Sequence, residues 1–398
     1  MSPPSKASRV QTIDHLAATP SYKDFLNCYL LPLKPCLISM PEALLWSASQ
    51  RWLKQTDKGP APDIDSLEQA FPDSTQVEVA FCEETDECGG QRRERMSFSE
   101  FAALWRESSR AKLYLKDFHF CIAGQSAAAY RTPEIFWDDW LNSHSISTSG
   151  GADDFRFVYL GQDGSSTNFH RDVYGSHSWS CSLAGIKRWR FLAPEYTHLV
   201  RDETTGDMPA GIFSPEMESR YPHIAEARER VLTVWQYPNE AIFVPSGWLH
   251  ELNKFSCSET LSVNHNWANA SCLRCMAKAL EDEVHLGHLA LDGFDLGSPE
   301  EVAVLVQDLT LRNFGWGWKE FFEMIKWRYV SACQDTPPPV HIKKEVAWKE
   351  APDDLRPSPS VEGHIVLQVV QDWLHSNDSE YLPEARATAE EVLKHIQH

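Results

Sequence analysis

The chain lacks any run of about eighteen uncharged apolar residues, so no membrane-spanning helix is expected. Its opening, Met1-Ser2-Pro3-Pro4-Ser5-Lys6, stays polar through Thr12 with no apolar segment behind it, so no secretory leader is expected. Positive charge is scarce. Against 57 Asp and Glu stand 37 Lys and Arg, a formal charge of -20 over 398 residues. Such a surface repels phosphates, which argues against non-specific nucleic-acid binding and would attract a cationic protein or peptide; the same acidity also serves solubility. A complete zinc motif is missing too. Cys272 and Cys275 have ligand spacing, but no second CxxC pair accompanies them, and a helix-borne structural pair is expected. Ten scattered cysteines suit reduced, buried thiols, which places the chain in the cytoplasm, with the nucleus as the alternative. No internal repeat of useful length is present.

What is present falls into five stretches. Residues 1–110 mix helix and strand signals. Tyr22, Phe25, Leu26, Tyr29 and Leu30 recur at helical spacing, Pro32 and Pro35 interrupt, and residues 36–38 read as a short strand. Ser97 and Glu100 predict a reciprocally capped helix over 97–107. Residues 111–270 carry short strands at 113–116, 155–160, 167–172, 179–183, 187–192, 231–236, 241–244, 248–255 and 260–267, separated by Gly, Pro and Asn turns. Residues 193–230 form a polar insertion between the two halves. Many short strands with such turns predict a β-sandwich or jelly roll. Residues 271–333 turn helical, residues 334–361 with Pro337-Pro338-Pro339 read as a linker or flexible loop, and residues 362–398 suggest terminal helices. The expected fold is a mainly β core with α-helical flanks, N-terminal α/β elements and a C-terminal helical region.

Chemistry concentrates in the strand-rich stretch. His170-Arg171-Asp172 offers an imidazole and a carboxylate two residues apart, hence on one side of a strand. Two imidazoles and one carboxylate grip one face of an octahedral ferrous ion and leave the other open for a co-substrate and dioxygen. A His-x-Asp alone arises about once by chance in a chain of this composition. Its setting among strands, with further histidines following, gives it weight. The third ligand stays open among His250, just after the Pro245-Ser246-Gly247 turn, His265 and His177.

A second feature is Lys187. It shares a strand face with Trp189 and Phe191, so it is expected to point inward, while Arg188 and Arg190 take the opposite face and suit solvent. A buried cation asks for an anion. 2-Oxoglutarate would chelate the metal through its 2-oxo acid end and bury its far carboxylate. Iron and Lys187 then balance Asp172 and the co-substrate in formal charge.

These segments resemble the JmjC family of 2-oxoglutarate oxygenases. The matching stretches are Phe157-Val158-Tyr159-Leu160-Gly161, Ser166-Thr167-Asn168-Phe169-His170-Arg171-Asp172, Gly185-Ile186-Lys187-Arg188-Trp189, Val244 through His250, and Ser262 through Trp267. Leu113-Tyr114-Leu115-Lys116-Asp117 resembles the family's upstream strand. The resemblance covers residues 20 to 270 and implies a double-stranded β-helix, the cupin-like jelly roll. It implies Fe(II), 2-oxoglutarate and dioxygen as cofactor and co-substrates, His250 as the third iron ligand, and Lys187 on the far carboxylate. Thr167 and Tyr114 would add hydroxyl donors and Asn264 a polar group to the same pocket. Thr167 lies three residues before His170, so a regular strand would place it on the wrong side and a bend is required.

Within the family the likeness is best to the small JmjC-only hydroxylases, one of which acts on a lysine of the translation termination factor. A lysyl carbon of a protein is the implied target. The competing readings are an N-methyl-lysine (histone) demethylase, against which the lack of a PHD-like Cys/His array counts, and a non-catalytic jelly-roll binding module, against which the intact triad counts. The aromatic-rich segment 318–330 offers either a homodimer face or packing onto its own chain.

Overall fold

The computed structural model describes residues 13–71, 74–86, 90–107, 112–123, 129–202, 205–253, 259–330 and 353–397. Seven strands precede the core: β1 (Asp14–Leu16), β2 (Cys36–Ser39), β3 (Leu53–Thr56), β4 (Gly59–Pro62), β5 (Gln76–Thr85), β6 (Gln91–Ser97) and β7 (Leu113–Phe118). Eight more make the core: β8 (Arg156–Gly161), β9 (Ser166–His170), β10 (His177–Ala184), β11 (Lys187–Leu192), β12 (Leu232–Gln236), β13 (Glu240–Val244), β14 (Leu249–Asn253) and β15 (Thr260–Trp267). They form two sheets, β13-β10-β15-β8 and β12-β11-β14-β9, the arrangement of a jelly roll. The first sheet continues through β2 and β1 at one edge and β7, β5 and β6 at the other, making nine strands. Strands β1, β2, β5 and β6 of the N-terminal stretch therefore extend the core sheet, the last two through β7, while β3 and β4 pair apart.

Period-two alternation on β10 explains how a cavity survives inside this core. Trp179, Cys181 and Leu183 point away from the opposing sheet, into a large apolar cluster that includes Phe25, Phe136 and Phe243. Trp179 stacks on Phe136 at 5.3 Å and Phe25 meets Phe243 at 5.0 Å. Burying each such ring contributes about 2–3 kcal/mol. Ser178, Ser180 and Ser182 take the other face, between the sheets. A second cluster fills part of that interior, where Trp189 and Phe191 of β11 meet Ile242 and Val244 of β13. A cleft lined by polar and aromatic residues opens at His170 and Asp172.

The helix Phe98–Glu107 opens with the expected reciprocal cap. The Glu100 amide donates to Ser97 Oγ at 3.2 Å and the Ser97 amide to Glu100 Oε2 at 2.8 Å. Residues 193–230 are less polar in fact than in pattern: Leu199, Val200, Ile212, Tyr221 and Ile224 pack on Phe169 and Leu249. That layer also corrects the expectation for Arg190. Its guanidinium pairs with Glu251 and lies 4.2 Å from the Phe213 ring instead of facing open solvent.

Among the described residues, five long helices follow the core, Leu273–Leu291, Pro299–Phe314, Trp318–Val330, Pro359–Leu374 and Pro383–Ile396, with a single turn, Asp378–Tyr381, before the last. Trp318, Phe321, Phe322 and Trp373 bury one another inside this layer, which packs on Trp140 and Leu141. Of the segment read as a linker, residues 334–352 lie outside the described residues, and the helix after it starts at Pro359 behind the cap Ser358. Cys272 and Cys275 sit at and just inside the start of the first of these helices, with Cys272 buried against Met276.

Candidate metal centre and co-substrate pocket

His170 is the last residue of β9 and lies directly opposite His250 on β14. Their ring centroids are 4.3 Å apart. Asp172 does not continue the strand, as the sequence pattern suggested. The strand stops at His170, and Asp172 caps a short turn, Val173–Gly175, in which Tyr174 and Gly175 take positive φ of 56° and 65°. This turn brings the carboxylate back, with Asp172 Oδ1 4.0 Å from His250 Nε2. One ligand atom from each of the three residues lies within 4.8 Å of the others, and among the described residues this is the group able to hold a metal ion.

Their outer bonds suit that role. His170 Nδ1 lies 2.7 Å from the Asn168 carbonyl and His250 Nδ1 3.4 Å from the Trp248 carbonyl. A carbonyl can only accept, so each Nδ1 carries the proton and each Nε2 offers its lone pair. Burial, reinforced by the neighbouring His250, holds His170 down to about 4, so it stays neutral at ordinary pH. Ser178 donates to Asp172 Oδ2 at 2.7 Å, which turns Oδ1 toward the imidazoles.

The competing histidines are engaged elsewhere. His177 accepts from the Ser246 amide at 2.9 Å through Nδ1 and meets Ser271 Oγ at 2.9 Å through Nε2. Burial lowers it to about 3. His265 lies on the outward face of β15, 4.4 Å from the Trp179 ring and hydrogen-bonded to Tyr130.

Lys187 points inward from β11, a strand flanked by β12 and β14, and is 1% exposed. Its ammonium donates to Ser262 Oγ. Burial pulls it down to about 7, opposed only by the Cys181 thiol, with no carboxylate against it among the described residues. A desolvated ammonium with no counter-ion is a built receptor for an anion. Ser262 received no role from the sequence, although it stands two residues before Asn264 and so shares its face. Asn264 Oδ1 accepts from Ser180 at 3.1 Å.

Thr167 reaches the cleft through a β-bulge. Opposite β14, the step from His250 to Leu252 spans two residues, while the step from His170 to Thr167 spans three. The extra residue reverses the strand's phase, and Thr167 lines the same cleft as His170 and Asp172. Its side chain bonds Tyr114, which is buried on β7. The cleft has a volume of about 920 Å³.

A jelly roll with two imidazoles and a carboxylate converging at a cleft, and between its sheets a buried lysine that no carboxylate faces among the described residues, defines a metal-dependent cupin-type protein suited to an anionic co-substrate. The comparisons agree. Residues 22–271 match the family described as the Cupin-like domain. The 2-oxoglutarate and iron-dependent oxygenase JMJD4 of Gallus gallus is 35% identical over 273 residues, 66% of this chain and 62% of that protein. The JmjC domain-containing protein 1 of Schizosaccharomyces pombe is 32% identical over 342 residues, 76% of this chain and 72% of that protein. The Arginine-specific demethylase JMJ20 of Arabidopsis thaliana is 36% identical over 271 residues, 63% of this chain and 55% of that protein. The chain thus spans between about half and three quarters of the length of these three relatives. It belongs to the cupin-like JmjC family of 2-oxoglutarate and iron-dependent oxygenases.

Proposed function

We propose that the chain is a 2-oxoglutarate- and iron-dependent hydroxylase acting on a lysyl side chain of a protein, with a translation termination factor as its target and the cytoplasm as its setting. One observation carries the oxygenase reading: the His170, Asp172 and His250 ligand atoms gather within 4.8 Å of one another, and between the same two sheets lies the buried Lys187, which no carboxylate faces among the described residues. The donor set is that of a ferrous site with one face open. His170, Asp172 and His250 would hold iron, and Lys187 with Ser262 would hold the far carboxylate of 2-oxoglutarate, with Thr167, Tyr114 and Asn264 around it. Bound iron with 2-oxoglutarate supplies the oxidising power that couples dioxygen reduction to decarboxylation and substrate oxidation.

The chain's own residues do the positioning. The backbone carbonyls of Asn168 and Trp248 fix the imidazole tautomers, and Ser178 fixes the carboxylate. Trp189 and Phe191 pack beside the His250 ring, with centroids 5.7 and 5.9 Å from it, and keep water from that side of the ligand. The open cleft of about 920 Å³ accommodates a side chain presented by a protein. A second reading, removal of an N-methyl group, is favoured by the similarity to the demethylase of Arabidopsis thaliana. Intact mass of a purified translation termination factor, after incubation with the protein, iron, 2-oxoglutarate and air, separates the two. Gain of one oxygen atom supports hydroxylation; loss of methyl with formaldehyde release from a methylated factor supports demethylation and overturns the proposal.

A further inference from the structure

The cleft wall opposite the metal ligands is built from β7 and β8, and one residue on it is held in an unusual way. Asp117 has a φ of 51°, a left-handed conformation that non-glycine residues seldom adopt. It sits in a bulge. Leu115 pairs with Leu160 and Phe118 with Val158, so three steps on β7 face two on β8. Bulges and left-handed residues re-aim side chains next to functional sites. Here the carboxylate is turned to the cleft, where Tyr159 donates to Asp117 Oδ1 at 2.7 Å. The Tyr159 ring lies 6.1 Å from Phe157 and 5.8 Å from Tyr114, the residue bonded to Thr167. An aromatic wall therefore runs from the metal side of the cleft to Asp117.

The other carboxylate oxygen of Asp117 meets a cation of the chain itself. Arg93 Nη1, from β6, donates to Asp117 Oδ2 at 3.3 Å. Both side chains are about half exposed, 51% and 43%, so the pair is worth little and is readily exchanged. The remaining cations of the cleft have other partners. Arg92 pairs with Glu84, Arg171 lies near Asp282 and Glu283, and Lys116 donates to Gln91 at 2.6 Å.

We propose that Asp117 is the specificity-determining carboxylate for the cationic end of the substrate side chain, at the place Arg93 holds in this structure. This rests on the reading that the substrate is a lysyl side chain. A lysyl stem has the chemistry of the wall, methylenes for Phe157 and Tyr159 and an ammonium for the carboxylate. An ammonium anchored at Asp117 leaves the methylenes, rather than a group on nitrogen, along the aromatic wall that leads toward the metal ligands.

The test uses the full chain loaded anaerobically with manganese(II) and 2-oxoglutarate. Binding of Nα-acetyl-lysine methylamide, the arginine analogue and the uncharged norleucine analogue is read from manganese-enhanced relaxation of the probe protons. The wild type is expected to prefer the lysine probe over norleucine by about tenfold, about 1.4 kcal/mol. Asp117→Asn removes that preference, and Arg93→Gln strengthens lysine binding several-fold by vacating the carboxylate. Damage to the fold would weaken all probes alike and would not produce the gain expected of Arg93→Gln. Retention of the preference in Asp117→Asn, or no gain in Arg93→Gln, overturns the proposal. Preference for the arginine probe, lost in Asp117→Asn, upholds Asp117 and instead contradicts a lysyl substrate.

Discussion

Replacing Lys187 with methionine separates stability from function at one atom. In the protein without ligands the Lys187 ammonium is buried, bonded to Ser262 and held at about 7 against an ordinary 10.5. At about 1.36 kcal/mol per tenfold in proton affinity, that gap corresponds to about 5 kcal/mol against the charged form. The sign follows from proton counting. Between about pH 7 and 10.5 the unfolded chain keeps the proton that the folded chain has lost, so folding stability rises with pH through this window by about 5 kcal/mol from this group. Below about 7 both states are protonated and the whole penalty is present. Methionine has no such penalty and loses only the Ser262 bond, about 1 kcal/mol. Urea unfolding of metal-free Lys187→Met at pH 7 should therefore show a gain of several kcal/mol over wild type that shrinks as pH approaches 10.5. Binding of 2-oxoglutarate moves the other way. Removing one partner of a buried charge pair costs about 2–5 kcal/mol, about thirtyfold to several thousandfold in affinity. A Lys187→Met protein that is less stable at pH 7, or that binds 2-oxoglutarate as wild type does, refutes the reasoning.

Three further substitutions probe the positioning groups. Ser178→Ala frees Asp172 Oδ2 from its 2.7 Å bond and should lower manganese(II) affinity by about 10- to 100-fold in calorimetry, with little change in thermal midpoint. His177→Ala leaves the Ser246 amide and Ser271 hydroxyl without their buried partner and should cost about 2–4 kcal/mol in urea unfolding, with metal affinity unchanged. Gly185→Ala puts a Cβ 2.5 Å from the Glu259 carbonyl at a φ of +75° in the turn that leads to Lys187. It should cost about 2–4 kcal/mol and weaken 2-oxoglutarate binding, read by unfolding and equilibrium dialysis.

The core strands were legible because their alternation is local. Trp179, Cys181 and Leu183 mark a buried face whatever lies opposite. That parity also held information left unused: His177 falls on the Trp179 face and so turns away from the cavity, while Ser178 falls on the other. The joining of β1, β2, β5 and β6 to the core sheet was not legible, because pairing between strands remote in sequence leaves no periodic trace. At the site, the bulge before His170 and the strand end before Asp172 both depend on β14 and the turn Val173–Gly175, so a regular strand over 167–172 could not describe them. Lys187 was readable from its apolar neighbours, but Ser262, its bonding partner, comes from a strand 75 residues away.

The most direct test of the central claim is the formation of succinate from 2-oxoglutarate by the purified protein with ferrous iron and air, compared with His170→Ala and Asp172→Ala. The wild type should form succinate at a rate that rises with added iron and stops on chelation, and both variants should fall to background while keeping the wild-type fold by circular dichroism. Succinate formation undiminished in a folded His170→Ala or Asp172→Ala protein would contradict the assignment of iron to these ligands.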